Sequence, residues 1–137
     1  VPNSGDGLKR LNFRVSEWDP YVREYLNKLN KRKPVVFTGD LNVGHLDIDI
    51  HNPEAKHISK QAGLTPQERE SFSKLLENNF HDAFRFLYPE AKGQFTYWSQ
   101  RTFARPVNKG LRLDYFICSQ DMFPVMSENS SKSVDNL

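Results

Sequence analysis

A chain of 137 residues is of single-domain size, and its 37% hydrophobic and 26% charged content is ordinary for a soluble protein. No apolar stretch approaches membrane-spanning length. A net charge of +2 is too small to argue for a nucleic-acid partner by itself, and the single cysteine, Cys118, excludes an intrachain disulfide and makes a reducing compartment the default. The distribution of charge says more than its sum. Residues 8–33 carry eight basic side chains against three acids, and residues 99–112 carry four basic side chains and no acid. Between them, residues 40–54 hold four acids and neither Lys nor Arg. Basic segments flanking an acidic one fit a site that binds a polyanion around a cation, and fit solvated surface faces equally well.

Residues 1–7 (VPNSGDG) read as a loop, with Asn3 either a turn asparagine or an amide donor to an anion. A helix is predicted from about Asp19, which serves as N-cap with Pro20 at the first helical position. Trp18, Tyr21, Val22, Tyr25, Leu26 and Leu29 form its apolar stripe, and Lys31-Arg32-Lys33 closes the end that cations suit. Pro34 then opens a strand, Val35-Val36-Phe37 read as a buried apolar run, and Gly39 stops it. Asp40 and Asn42 follow, where α/β folds collect their chemistry beyond strand ends. A carboxylate and a carboxamide there can position water, hold a hard cation or face a phosphate, or can simply form a turn.

The segment with His45, Asp47, Asp49, His51, Asn52 and His57 is loop-like, and its spacing matches no standard zinc ligand set. Thr65-Pro66-Gln67-Glu68 is a strong helix start, with a Thr cap and Glu three residues on. Phe72, Leu75 and Leu76 supply that helix's buried face, and a shorter helix covers residues 82–88 before Pro89. Residues 94–99 (QFTYWS) read as a strand, residues 99–110 as a basic loop, and residues 111–118 (LRLDYFIC) as a second strand. Within it Asp114 demands a partner, because burying an unpaired carboxylate is costly. Residues 127–137 are polar and carry no fold signal beyond a sequon at Asn129, discounted because nothing points to secretion.

Three motifs agree with one another. Gly39-Asp40-Leu41-Asn42, Ala62-Gly63-Leu64-Thr65-Pro66-Gln67-Glu68-Arg69 and Gly110-Leu111-Arg112-Leu113-Asp114-Tyr115-Phe116 resemble the GD-[LF]-N, AGFTPQER and GWRLDYF segments of exonuclease III-type AP endonucleases, in the endonuclease/exonuclease/phosphatase superfamily. Val1-Pro2-Asn3 and Ile50-His51-Asn52-Pro53 fit the same pattern, and the resemblance covers essentially residues 1–126. It implies an α/β fold, a four-layer α/β sandwich of which only the C-terminal half is present. It also implies a DNA repair hydrolase that cuts the phosphodiester 5′ to abasic sites by metal-assisted attack of water. Asp40 would orient or deprotonate the water, Asn42 would place it and stabilise the transition state, and Asp114 would orient a catalytic histidine. Asn3 and Asn52 would contact phosphate, and Arg101 and Arg105 would meet backbone phosphates. Tyr97, Leu111 and Leu113 would line a pocket for the flipped-out, base-free sugar.

Mg2+ (or Mn2+) is the implied cofactor, with Asp40 and Asn42 at a second metal site and the principal ligands outside this chain. The implied partner is double-stranded DNA containing abasic sites, bound by a monomer with no membrane association, in the nucleus and compatibly in a mitochondrial pool. Leu111 stands where the family motif has Trp, so one flat wall of the pocket is lost, and Asp6 lies where some relatives have Arg. The family's catalytic Tyr precedes the VPN motif and its GSDH motif follows the segment resembling residues 132–137. The expectation is therefore a partial domain over residues 1–137, truncated at both ends and inactive alone. The alternatives are a non-catalytic nucleic-acid-binding remnant, or another phosphodiesterase of the superfamily.

Overall fold

The computed structural model describes residues 1–123; the polar tail and the sequon at Asn129 lie outside them. The first helical segment starts earlier than the capping signal at Asp19 predicts. A short α1 (Leu11–Phe13) passes into a π-helical stretch (Arg14–Trp18) and then α2 (Asp19–Asn30), so Asp19 already sits inside helical backbone rather than capping it. Pro20 is tolerated because it falls at the start of α2. The predicted apolar stripe also narrows. Leu26 is buried and Val22 packs against the core, whereas Tyr21 and Tyr25 stack on each other in solvent.

Three strands form an antiparallel sheet in the order β1 (Val36–Asp40), β5 (Asp114–Ser119), β2 (Phe80–Asp82). Among the described residues β1 lies at one side of the sheet, and its Val35-Val36-Phe37 run, expected to be buried, is covered only in part. Val36 is 48% exposed and Phe116, on the same face of β5, is 61% exposed. Gly39 does not end the strand: at φ 128° it stays in register opposite Tyr115. The other face of the sheet carries Phe80, Tyr115 and Ile117, and α2 and α3 (Pro66–Leu76) cover it with Leu26, Phe72 and Leu75. Each large apolar side chain buried there contributes about 1.5–3 kcal/mol. Residues 1–123 thus supply one sheet layer and one helix layer of an α/β fold.

α3 begins as its sequence dictates. Thr65 Oγ1 accepts the Glu68 backbone N–H at 3.2 Å, and the Glu68 carboxylate returns to the Thr65 N–H at 3.3 Å. The shorter α4 (Ala83–Leu87) is capped by Asp82. The strand predicted over residues 111–118 is two strands in two sheets. β4 (Gly110–Leu111) pairs with a two-residue β3 (Tyr97–Trp98), and β5 starts at Asp114. The break falls at Arg112 and Leu113, and its cause is electrostatic. Arg112 is 3% exposed and turns its guanidinium inward onto Asp49 (2.8 Å) and Asp82 (2.5 Å). The buried charge of this segment is Arg112, while Asp114, expected to need a partner, is exposed.

Candidate functional site

β1 carries Asp40 to the end of the sheet, and the chain turns at once through Asn42, whose φ of 49° is left-handed. Asparagine tolerates that region better than most residues. Asp40 Oδ1 accepts the Asn42 backbone N–H at 2.8 Å, so the turn-forming role of this acid is real. It occupies one carboxylate oxygen and leaves the second without a protein donor among the described residues. Asn42 Oδ1 accepts from Asn3 Nδ2 at 3.1 Å, and Asn42 Nδ2 donates to the Val1 carbonyl at 2.8 Å. Asn3 Oδ1 in turn accepts the Gly5 N–H at 2.8 Å. Asn3, Asp40 and Asn42 therefore form one hydrogen-bonded corner. A primary amide has two N–H donors, so each asparagine keeps one free for a further acceptor.

Asp114 lies directly opposite Asp40 in the β1–β5 register, and both residues are exposed. Like charges directly across a strand pair repel, so the two carboxylates favour a cation or a cationic donor between them. Their oxygens are hard donors of the kind Mg2+ or Mn2+ takes. Among the described residues, however, no group of three or more His, Cys, Asp or Glu is placed to hold a metal ion. This corner fits part of a coordination shell.

The corner opens onto a cavity of about 1310 Å³. Asn3, Asp40 and Asn42 line one part of it, and Tyr97, Leu111 and Leu113 another. Arg101 and Arg105 also line it, as do Lys60 and Asp6. Arg105 stacks over Trp98 with its guanidinium carbon 5.2 Å from the ring centroid. Asn52 does not line the cavity; it sits exposed on the loop before the turn at Ile58–Lys60, with its backbone carbonyl accepting from Ala55 at 3.2 Å. The structure thus gathers eight of the ten residues singled out from sequence around one space and leaves Asn52 and Asp114 outside its lining.

Two buried charge clusters hold these walls, and sequence reasoning assigned neither. In one, Arg112 bridges Asp49 and Asp82 while Arg85 reaches Asp49 at 2.7 Å. Burial alone would raise the Asp49 carboxyl, but hydrogen bonds and charge from Arg112 and Arg85 hold it below the usual carboxylate range. The cluster fixes the pocket wall through the backbone: Arg112 N–H donates to Asp49 O at 2.9 Å and His51 N–H to Gly110 O at 3.1 Å. The second cluster is Glu68 with Arg14, beneath Asn42. Glu68 was legible only as half of a capping box. The one available signal for Arg112 was a cation inside an apolar run.

The site thus defines an α/β domain with an acid–amide corner at a strand end. A model of the endonuclease/exonuclease/phosphatase family matches residues 4–132. The DNA repair nuclease APEX1 of Danio rerio is 45% identical over 133 residues, covering 97% of this chain and 42% of that protein. An exodeoxyribonuclease of Bacillus subtilis is 42% identical over 135 residues, covering 98% of this chain and 52% of that protein. Among solved structures, an AP endonuclease from Leishmania major superposes with TM-score 0.80 at 41% identity, covering 87% of this chain and 39% of its own. The chain belongs to the endonuclease/exonuclease/phosphatase family, and within it resembles AP endonucleases and exodeoxyribonucleases. It spans about half the length, or less, of these curated relatives.

Proposed function

We propose that the protein carrying this chain is a DNA repair nuclease that hydrolyses the phosphodiester 5′ to abasic sites. The observation that carries this reading is the Asn3–Asp40–Asn42 corner opening onto a cavity shared by Tyr97, Leu111, Leu113 and two arginines. The free oxygen of Asp40 accepts the proton of an attacking water and aims its lone pair at phosphorus. The remaining N–H groups of Asn3 and Asn42 donate to phosphoryl oxygens, where negative charge grows in the transition state. Arg101 and Arg105 hold flanking phosphates, and Asn52 reaches phosphate from its exposed loop. Tyr97, Leu111 and Leu113 admit a base-free sugar, which costs less to extrude than an intact nucleotide. A bound divalent cation, Mg2+ or Mn2+, would supply Lewis-acid stabilisation of the phosphoryl charge. Asp40, Asn42 and Asp114 are the residues of this chain that would face it, and Asp114 would also orient a catalytic histidine.

The partial shell at this corner supports a further part of the proposal, that the 137 residues alone do not turn over substrate. The test is incision of a duplex bearing a stable abasic analogue, with Mg2+ and with chelator, by the protein carrying this chain. Asp40→Asn is expected to abolish incision and retain binding. Retained incision overturns the reading, and absent incision with intact binding in the unaltered protein favours the non-catalytic binding remnant. Nuclear residence with a mitochondrial pool belongs to the same proposal; imaging of a tagged protein confined to the cytosol would refute it.

A further inference from the structure

We propose that the buried Glu68–Arg14 pair is the positioning unit of the Asp40–Asn42 corner, a proposal that rests on those two residues acting on substrate. Glu68 is 1% exposed and Arg14 is 3% exposed, yet neither side chain is spent on the surroundings of its own helix alone. Arg14 Nη1 donates to the Asn42 carbonyl at 2.5 Å and Nη2 to the Leu41 carbonyl at 2.7 Å. Two consecutive carbonyls can converge on one guanidinium here because Asn42 is left-handed. The arginine holds this pose although its Nε has no hydrogen-bond partner among the described residues, lying 3.9 Å from Asp19. Its position at the first residue of the π-helical stretch fits, since such local widenings often mark functional sites.

Glu68 collects the other segments. Its Oε1 accepts from Ser4 Oγ, the residue next to Asn3, and from Arg14 Nη1 at 3.3 Å. Its Oε2 accepts the Gly63 N–H at 2.8 Å and the Thr65 hydroxyl at 2.7 Å. One carboxylate thereby sets the register of the segment bearing Asn3, the turn bearing Asn42 and the start of α3. Gly63 completes the seat: at φ 83°, any Cβ there would lie 2.8 Å from the Asn42 carbonyl oxygen. A buried ion pair is weak grounds for stability, because desolvation offsets its attraction. This one is directed at the backbone of the turn that carries the acid and the amide, so its effect is on placement.

The experiment is a double-mutant cycle in the protein carrying this chain, read as single-turnover incision of an abasic-analogue duplex. Glu68→Gln is expected to lower the incision rate by up to about a hundredfold with KM little changed, the scale of a 1 Å misplacement. Ser4→Ala should give a smaller fall in the same direction and serves if Glu68→Gln does not fold. In an Asn42→Ala background the cost of Glu68→Gln should be clearly smaller, because one of the two side chains it helps to place is gone while Asp40 remains. Equal losses in both backgrounds mean a general structural role and overturn the proposal, as does an unchanged rate. Asp40→Asn is run alongside. If it retains incision, the proposed function fails first; if it is inactive while Glu68→Gln is unaffected, only the positioning role fails.

Discussion

Arg112→Met tests whether the charge cluster behind the pocket wall is a true brace. Asp49 would keep Arg85 at 2.7 Å and the Leu46 N–H at 3.0 Å. Asp82, 5% exposed, would keep only the Arg85 backbone N–H at 3.3 Å and become the uncompensated charge. Removing one partner of a buried pair costs about 3–5 kcal/mol. Met fills comparable space against Phe84 and Tyr115, over which Arg112 now stacks, so the loss is mainly electrostatic. With a urea dependence of about 2 kcal/mol per molar, the unfolding midpoint should fall by roughly 2 M at pH 7.

The pH dependence carries a second signature. The Asp49 carboxyl is held low in the folded protein, so its contribution is present above the unfolded value of about 3.9 and is lost as pH falls through the folded value. In the variant Asp49 loses the hydrogen bonds and charge of Arg112 that hold its carboxyl low, so acidification through the usual carboxylate range costs the variant less. The difference between the two proteins should therefore hold from pH 7 to about pH 5 and shrink toward about pH 3. Urea unfolding followed by circular dichroism at pH 7 and at about pH 3 reads it. A loss below about 1 kcal/mol, within reach of ordinary substitutions, or a difference that does not move with pH, would refute the reasoning.

Two further substitutions probe the pocket. Leu111→Trp adds a flat wall to the cavity and should raise the ratio of incision at abasic sites to degradation of intact DNA; an unchanged ratio removes Leu111 from the specificity determinants. Gly110→Ala places a Cβ 2.7 Å from Phe95 Cβ and from Trp98 Nε1, and 2.8 Å from the Tyr97 carbonyl oxygen. Forcing β3 and β4 apart should cost about 1–3 kcal/mol and raise KM for abasic DNA because Tyr97 and Leu111 move together. An unchanged melting temperature would show that the strand pair yields without strain.

Local chemistry was legible where one short segment decides the outcome. Thr65, Pro66 and Glu68 specify the start of α3 between them, and the structure forms that capping box. Asp40 and Asn42 were readable as a strand-end pair for the same reason. Features that depend on distant segments were not. The Val35-Val36-Phe37 run gives no sign of where β1 lies among the described strands, because its pairing with β5 joins residues about 80 apart. The capping signal at Asp19 was overridden because helical backbone had already formed from Leu11, a start with no side-chain cap of its own.

Asp114 and Arg112 show why reading residues 111–118 as one strand misled. Alternation assigns faces only within one sheet, and β4 and β5 belong to different sheets. Once the break is placed between them, the parity reverses: Arg112 turns inward to Asp49 and Asp82, and Asp114 turns outward beside Asp40. The same break explains how a pocket wall and a strand-end carboxylate come from adjacent residues. Leu111 belongs to β4 and faces the cavity, while Leu113 hands the chain to β5 through its carbonyl, which accepts the Leu41 N–H at 2.8 Å. The buried arginine is thus the device that lets one short segment serve both the pocket and the acid corner.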